Sequence, residues 1–174
     1  MDNRIKKAQI ISRIAIWTSV GIVLAGIERF IPTPLPWIKL GLANGAALIV
    51  LYSHGLVPAL IVNLLRVTAI GLIFGTWSNP AFLLSFSGAA VAVLVMGSTK
   101  FIFGKWVGPI GVSAIGAWTH MFFQFLLASI LIVRHQSLMF LAGPSLIAAI
   151  LSGLIIGWIA NEILDRLPEK ILLR

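Results

Sequence analysis

The sequence predicts an all-α polytopic membrane protein: one integral membrane domain over residues 1–174, built as six transmembrane helices. Three observations lead there. Hydrophobic residues make up 59% of the chain and charged residues 10%, with a mean hydropathy of +1.04. A soluble domain has about a quarter of its residues charged, so this chain has too few charges to cover a water-facing surface. Apolar runs, most of them near the roughly 20 residues that a helix needs to cross hydrocarbon, follow one another, parted by short breaks containing Pro or Gly. The basic residues collect at alternate breaks, as membrane topology directs.

The first span covers about residues 10–30. Its basic flank is like that of a signal peptide. The run is long, has no small-x-small cleavage site and leads straight into further apolar runs, so it reads as a retained helix. Pro32, Pro34 and Pro36 stop it, since each lacks an amide donor. The second span, about 40–53, is the short one. "SHGLVP" divides it from the third, about 56–75, with Pro58 in the first helical turn. "GTWSNP" precedes the fourth, about 80–100, and "GKWVGP" the fifth, about 109–133. "RHQSLM" precedes the sixth, about 139–162, and "NEILDRLPEKILLR" reads as that helix leaving lipid and ending near Pro168.

Charge distribution decides whether the short second run is a span. With six spans and both termini in the cytoplasm, the inner side collects nine basic residues: Arg4, Lys6, Lys7, Arg13, Lys100, Lys105, Arg166, Lys170 and Arg174. The outer side holds three: Arg29, Lys39 and Arg134. Nine against three is a clear positive-inside bias. Removing the second span would put Lys100 and Lys105 outside. Trp37 and Trp77 then fall at the outer interface and Trp106 at the inner one, where tryptophans anchor.

The net charge of +8 follows from this topology, and no nucleic-acid partner is expected. There are no cysteines, which excludes disulfides and thiolate metal sites. The three histidines and five acids form no HExxH or comparable cluster, so neither a metal nor another cofactor is expected.

Polar residues at membrane depth are the candidate site. Arg66, in "LIVNLLRVTAIGLIF", lies some ten residues into the third span. Facing lipid there, an arginine costs at least about 2.5–3.5 kcal/mol, so it should face the protein. Asn63 shares its helix face. The pair suits either an internal hydrogen bond, with Glu28 as a possible ion partner, or a positive charge awaiting an anionic ligand; snorkelling is the third option. His120 and Gln124 lie four apart in the fifth span, in "GAWTHMFFQFLLAS", and either satisfy each other's surroundings or line a ligand. Asn44 in the second span belongs with them.

The stretch "ERFIPTPLPWIKLGLANG" links the first two spans. Glu28 and Arg29 stand at the end of the first helix and Lys39 at the start of the second. The prolines make a semi-rigid connector suited to a lid over the outer mouth. A recessed start of the short second helix would offer backbone amides to an anion, with Lys39 beside it and Glu28 positioning a base or binding a donor group on the substrate. Small-residue pairs mark close helix approaches: Gly88 and Ala92, Gly153 and Gly157, and Ala15 with Ser19 in the first span. The last is the expected partner-docking pair.

The runs "ERFIP…PLP…IKLGLAN", "LLRV…G…FG", "SFSGAAVAVLVM" and "GVSAIGAWTH…Q" resemble the Gx transporter family over about residues 10–165. Its members often carry the label heptaprenyl diphosphate synthase component I. That family is similar to the substrate-binding S components of energy-coupling factor (ECF) uptake transporters. The resemblance implies an S-component-like six-helix bundle with a pocket opening outward under the first loop. It also implies a transmembrane coupling subunit and two cytoplasmic ATPases as partners. S components often carry Ala-xxx-Ala in the first helix for docking, and Ala15 and Ser19 are the nearest match here. The family's fifth span often reads His-Asn before the glutamine; this chain has His120 followed by Met121, with Gln124 kept.

Three functions compete. The first is a non-enzymatic substrate-binding subunit for a small anionic or amphipathic solute, with Glu28, Arg29, Lys39, Asn44, Asn63, Arg66, His120 and Gln124 lining or gating the pocket. No Walker A motif is present, so ATP energy would come from another chain. The second is a membrane anchor for a polyprenyl (heptaprenyl) diphosphate synthase. Asp2 and Asp165 are the only aspartates and are not clustered, so the chain does not itself hold Mg²⁺–diphosphate as prenyl-chain enzymes do. The third is an assembly subunit with a closed, solidly packed bundle.

Overall fold

The computed structural model describes residues 3–32, 41–135 and 138–168. These form six α-helices: α1 (Asn3–Phe30), α2 (Leu42–His54), α3 (Leu56–Ile73), α4 (Pro80–Phe103), α5 (Pro109–Leu127) and α6 (Leu138–Arg166). A π-helical turn over Ala128–Val133 extends α5, and no strand occurs among the described residues.

The helix ends follow local chemistry. Gly55 alone joins α2 to α3, at φ 92°, a left-handed value that favours glycine. Asn79 caps α4 by accepting the Ala81 N–H at 2.9 Å, with Pro80 in the first turn, where its missing amide is no loss.

Five segments are long and apolar enough to cross a membrane: Ala8–Phe30, Leu56–Ile73, Pro80–Phe103, Pro109–Val133 and Ala142–Arg166. The sixth expected span, α2, has 13 residues, or about 20 Å of helix, and falls short by length. Its surroundings explain how it tolerates that. It packs against each of the other five helices, which follow one another around it in the order α1, α3, α4, α5, α6. Nine of its residues are buried: Ala43, Gly45, Ala46, Ala47, Leu48, Ile49, Val50, Leu51 and Ser53. A helix solvated by protein has no hydrocarbon thickness to match.

The core lies along this axis, where Leu48, Val50 and Leu51 meet Val62, Val93 and Val112. At the far end of α2, Lys100 donates to the Leu51 carbonyl at 3.0 Å and lies 4.5 Å from the Tyr52 ring centre. It thus caps one of the carbonyls that the helix end leaves unbonded.

The outer faces are apolar. Ile11, Ile16, Val23 and Ile27 of α1 are exposed, as are Ile147, Leu151, Ile155 and Trp158 of α6. Water would penalise such surfaces and lipid would not. The closest helix pairing is between α5 and α6. A Cβ on Gly157 would lie 2.7 Å from Ile110 Cα, and one on Gly153 would lie 2.8 Å from Ala114 Cα. The Gly153–Gly157 pair therefore serves packing within the bundle.

Candidate functional site: a polar chamber around Arg66

Arg66 and Asn63 lie three residues apart on α3, on the face turned from lipid; Asn63 is 1% exposed and Arg66 9%. The guanidinium is held by amides. Its Nε and Nη2 donate to Asn63 Oδ1 at 3.2 and 2.6 Å, and Nη2 also donates to Asn44 Oδ1 on α2 at 3.2 Å. Asn63 Nδ2 in turn donates to the Ala89 carbonyl on α4 at 3.0 Å. One hydrogen-bonded chain thus joins three helices. The side-chain stem lies along α1, where a Cβ on Gly21 would come within 3.1 Å of Arg66 Cδ.

An arginine has five N–H donors. The three on Nε and Nη2 suffice for these bonds. The two on Nη1 have no acceptor among the described residues.

Arg66 and Glu28 make no direct ion-pair contact, although the Glu28 carboxylate lines the same chamber and its charge acts on Arg66. Glu28 Oε1 instead accepts the N–H of Gly41, the residue that starts α2. Gly41 has φ 72°, a left-handed turn into the helix. At the start of α2 one amide, that of Gly41, is thus engaged by a carboxylate of the chain itself.

Beside Arg66 lies a chamber of about 410 Å³, at the end of the bundle where α1 stops and α2 and α4 begin. Glu28 and Arg29 line it from α1, Asn44 from α2, Arg66 from α3, and His120 and Gln124 from α5. Asn63 stands behind Arg66 and fixes it. Lys39 lies outside the described residues, as do Pro34, Pro36 and Trp37 of the expected connector. Arg29 is exposed and holds its guanidinium 4.4 Å from the Phe74 ring centre, a cation–π contact at the rim.

Ala15 and Ser19 do not line the chamber. Both are exposed on α1, and the Ser19 hydroxyl donates to the Ala15 carbonyl at 3.0 Å. With its proton so engaged, Ser19 presents a small surface on the lipid-facing side.

The apolar wall of the chamber was missed by reading the polar residues alone. It comprises Val67 and Ile70 of α3, Phe82 of α4 and Met121 of α5. Phe82 is seated by a bare backbone: a Cβ on Gly71 would lie 2.7 Å from its Cδ2. Trp77 braces the ring from outside, with centres 4.6 Å apart. The available signal was Gly71, five residues after Arg66 and little more than a turn away. Met121 contributes apolar wall where its helix neighbours His120 and Gln124 contribute polar groups.

Gln124 crosses α4 at Gly88, where a Cβ would come within 3.0 Å of Gln124 Cγ. Its amide has no hydrogen-bond partner among the described residues, and it lines the chamber. The chamber therefore offers a fixed cation, an uncommitted neutral amide and an apolar wall. No group of three or more His, Cys, Asp or Glu able to hold a metal occurs among the described residues.

No curated protein and no solved structure matches the sequence. The model of one family does, that described as heptaprenyl diphosphate synthase component I, over residues 17–163. That stretch takes in α2 to α5 whole, the second half of α1, most of α6, and every chamber-lining residue named above, and the chain belongs to the heptaprenyl diphosphate synthase component I family.

Proposed function

We propose that the protein is a non-enzymatic membrane subunit of the bacterial cell membrane that binds a small anionic or amphipathic solute in the chamber beside Arg66. It works as the substrate-binding, S-component-like part of an ECF-type uptake transporter. Glu28, Arg29, Asn44, Arg66, His120 and Gln124 contact or gate the solute, Asn63 positions Arg66, and Lys39 belongs to the mouth. The observation that supports this most is the Arg66 guanidinium: buried, braced by amides rather than by a carboxylate, and keeping two N–H groups uncommitted beside a chamber. Glu28 offsets part of the local charge from a distance but makes no direct contact with the guanidinium, so Arg66 keeps donors for an anionic ligand. Both termini are cytoplasmic in this reading and the chamber faces outward. Ala15 and Ser19 then form the face that meets a coupling subunit, which brings the ATPases.

The test is native mass spectrometry of the full chain released gently from membranes. A small-molecule adduct present in the wild type and lost in Arg66→Gln supports the reading. Adduct-free spectra for both, with no binding of any added anion, oppose it.

The family description favours a second reading, an accessory or anchoring subunit of a heptaprenyl diphosphate synthase. Co-purification of a prenyl synthase with the chain, and altered product length when the chain is absent, would favour it over transport.

A further inference from the structure

Deepening the chamber reading, and resting on it, we infer that the solute is an organic monocarboxylate that also carries an amide-like edge, with an apolar body between the two. Three observations fix these parts separately.

The charge of the chamber sets the anion. Among the described lining residues, Arg66 and Arg29 are cations and Glu28 is an anion, a formal sum of +2 − 1 = +1. A monoanion neutralises that sum, and the further cation that the proposed function puts at the mouth, Lys39, steers anions toward entry. A diphosphate would leave excess negative charge beside the buried Arg66, with no acidic cluster among the described residues to hold a compensating metal.

The donors set the shape of the anionic end. Arg66 Nη1 has two open N–H groups. Asn44 turns its Oδ1 toward Arg66, which leaves its Nδ2 without an acceptor among the described residues. Arg66 and Asn44 are adjacent, 3.2 Å apart across their own hydrogen bond. One carboxylate oxygen takes Nη1 and the other takes Asn44 Nδ2.

Gln124 sets the neutral end. A side-chain amide both donates and accepts. With both functions open, it is best met by a ligand group that also does both, as a secondary amide or lactam edge does. Phe82, Val67, Ile70 and Met121 take the part between.

The probe set is N-benzoylglycine (a carboxylate, an amide and an apolar ring), its methyl ester (no carboxylate), 4-phenylbutyrate (no amide), and inorganic diphosphate. Binding is titrated calorimetrically on the full chain in lipid nanodiscs. N-benzoylglycine should bind at least about tenfold more tightly than either the ester or 4-phenylbutyrate. Gln124→Leu should erase its advantage over 4-phenylbutyrate and keep its advantage over the ester. Arg66→Gln should erase the advantage over the ester; if that variant does not fold, the wild-type panel and Gln124→Leu decide. Equal binding of N-benzoylglycine and 4-phenylbutyrate, or tighter binding of the ester or of diphosphate, overturns this solute class and leaves a binding chamber standing. If no probe binds and no small molecule co-purifies, both the class and the binding reading fall.

Discussion

Arg66 Nη2 donates to Asn63 Oδ1 at 2.6 Å, and Asn63 commits its own amide hydrogen to the Ala89 carbonyl. Asn63 is thus a fixed acceptor, and Arg66 inherits its orientation from α4 as well as from its own helix. Removing that acceptor leaves a buried charge short of partners. Asn63→Leu should lower stability by about 3–5 kcal/mol, read as earlier thermal unfolding in detergent. Asn63→Asp should unfold later than Asn63→Leu, since a carboxylate still accepts from Arg66. By cancelling the positive charge, however, it should weaken binding of anionic probes.

Gly71 seats Phe82, and a methyl group there has nowhere to go but toward the ring. Phe82 stands in the first turn of α4, where it has room to swing into the chamber. Gly71→Ala should therefore change stability by less than about 1 kcal/mol and weaken solute binding about tenfold. Titration and thermal unfolding on the same sample separate the two effects.

Gly157 faces atoms that cannot turn away, namely Ile110 Cα, its carbonyl and the Ser113 Cβ. Backbone does not rotate aside. Gly157→Val should force α5 and α6 apart and cost about 1–3 kcal/mol or more, seen as loss of folded yield and a lower unfolding temperature. Gly108, which has nothing within 4 Å of a built Cβ, serves as the control: Gly108→Ala should be close to neutral.

How much of this was legible in the sequence depends on which force fixed each part. Helix positions were legible because hydrophobic length and Pro or Gly breaks set them: Pro80 and Pro109 start α4 and α5 where expected. The partners of Arg66 were only half legible. Spacing puts Asn63 on its face, but nothing local says that Asn44, 22 residues away, completes the set. Glu28 was expected to meet a donor group on a ligand, and nothing in the sequence pointed to the chain's own Gly41 amide as its partner. The central position of α2 was hidden for another reason. Its sequence is apolar on every side, and periodicity cannot tell protein solvation from lipid.

The span count has its own test, made simple by the absence of cysteine. Ser78 lies between α3 and α4 and Lys105 between α4 and α5, and both are exposed. A membrane-impermeant maleimide should label Ser78→Cys on intact cells, and Lys105→Cys only after permeabilisation. The reverse pattern would mean that α2 does not cross.

The most direct measurement of the central claim, an outward-facing chamber that selects anions through Arg66, is the charge preference for modifying a thiol placed at Gln124. Gln124→Cys in right-side-out vesicles is exposed to an anionic sulfonate methanethiosulfonate and to its cationic trimethylammonium counterpart. The expected result is reaction from outside, several-fold faster with the anionic reagent, and a preference abolished by adding Arg66→Gln. No reaction from outside, or faster reaction with the cation, would contradict it.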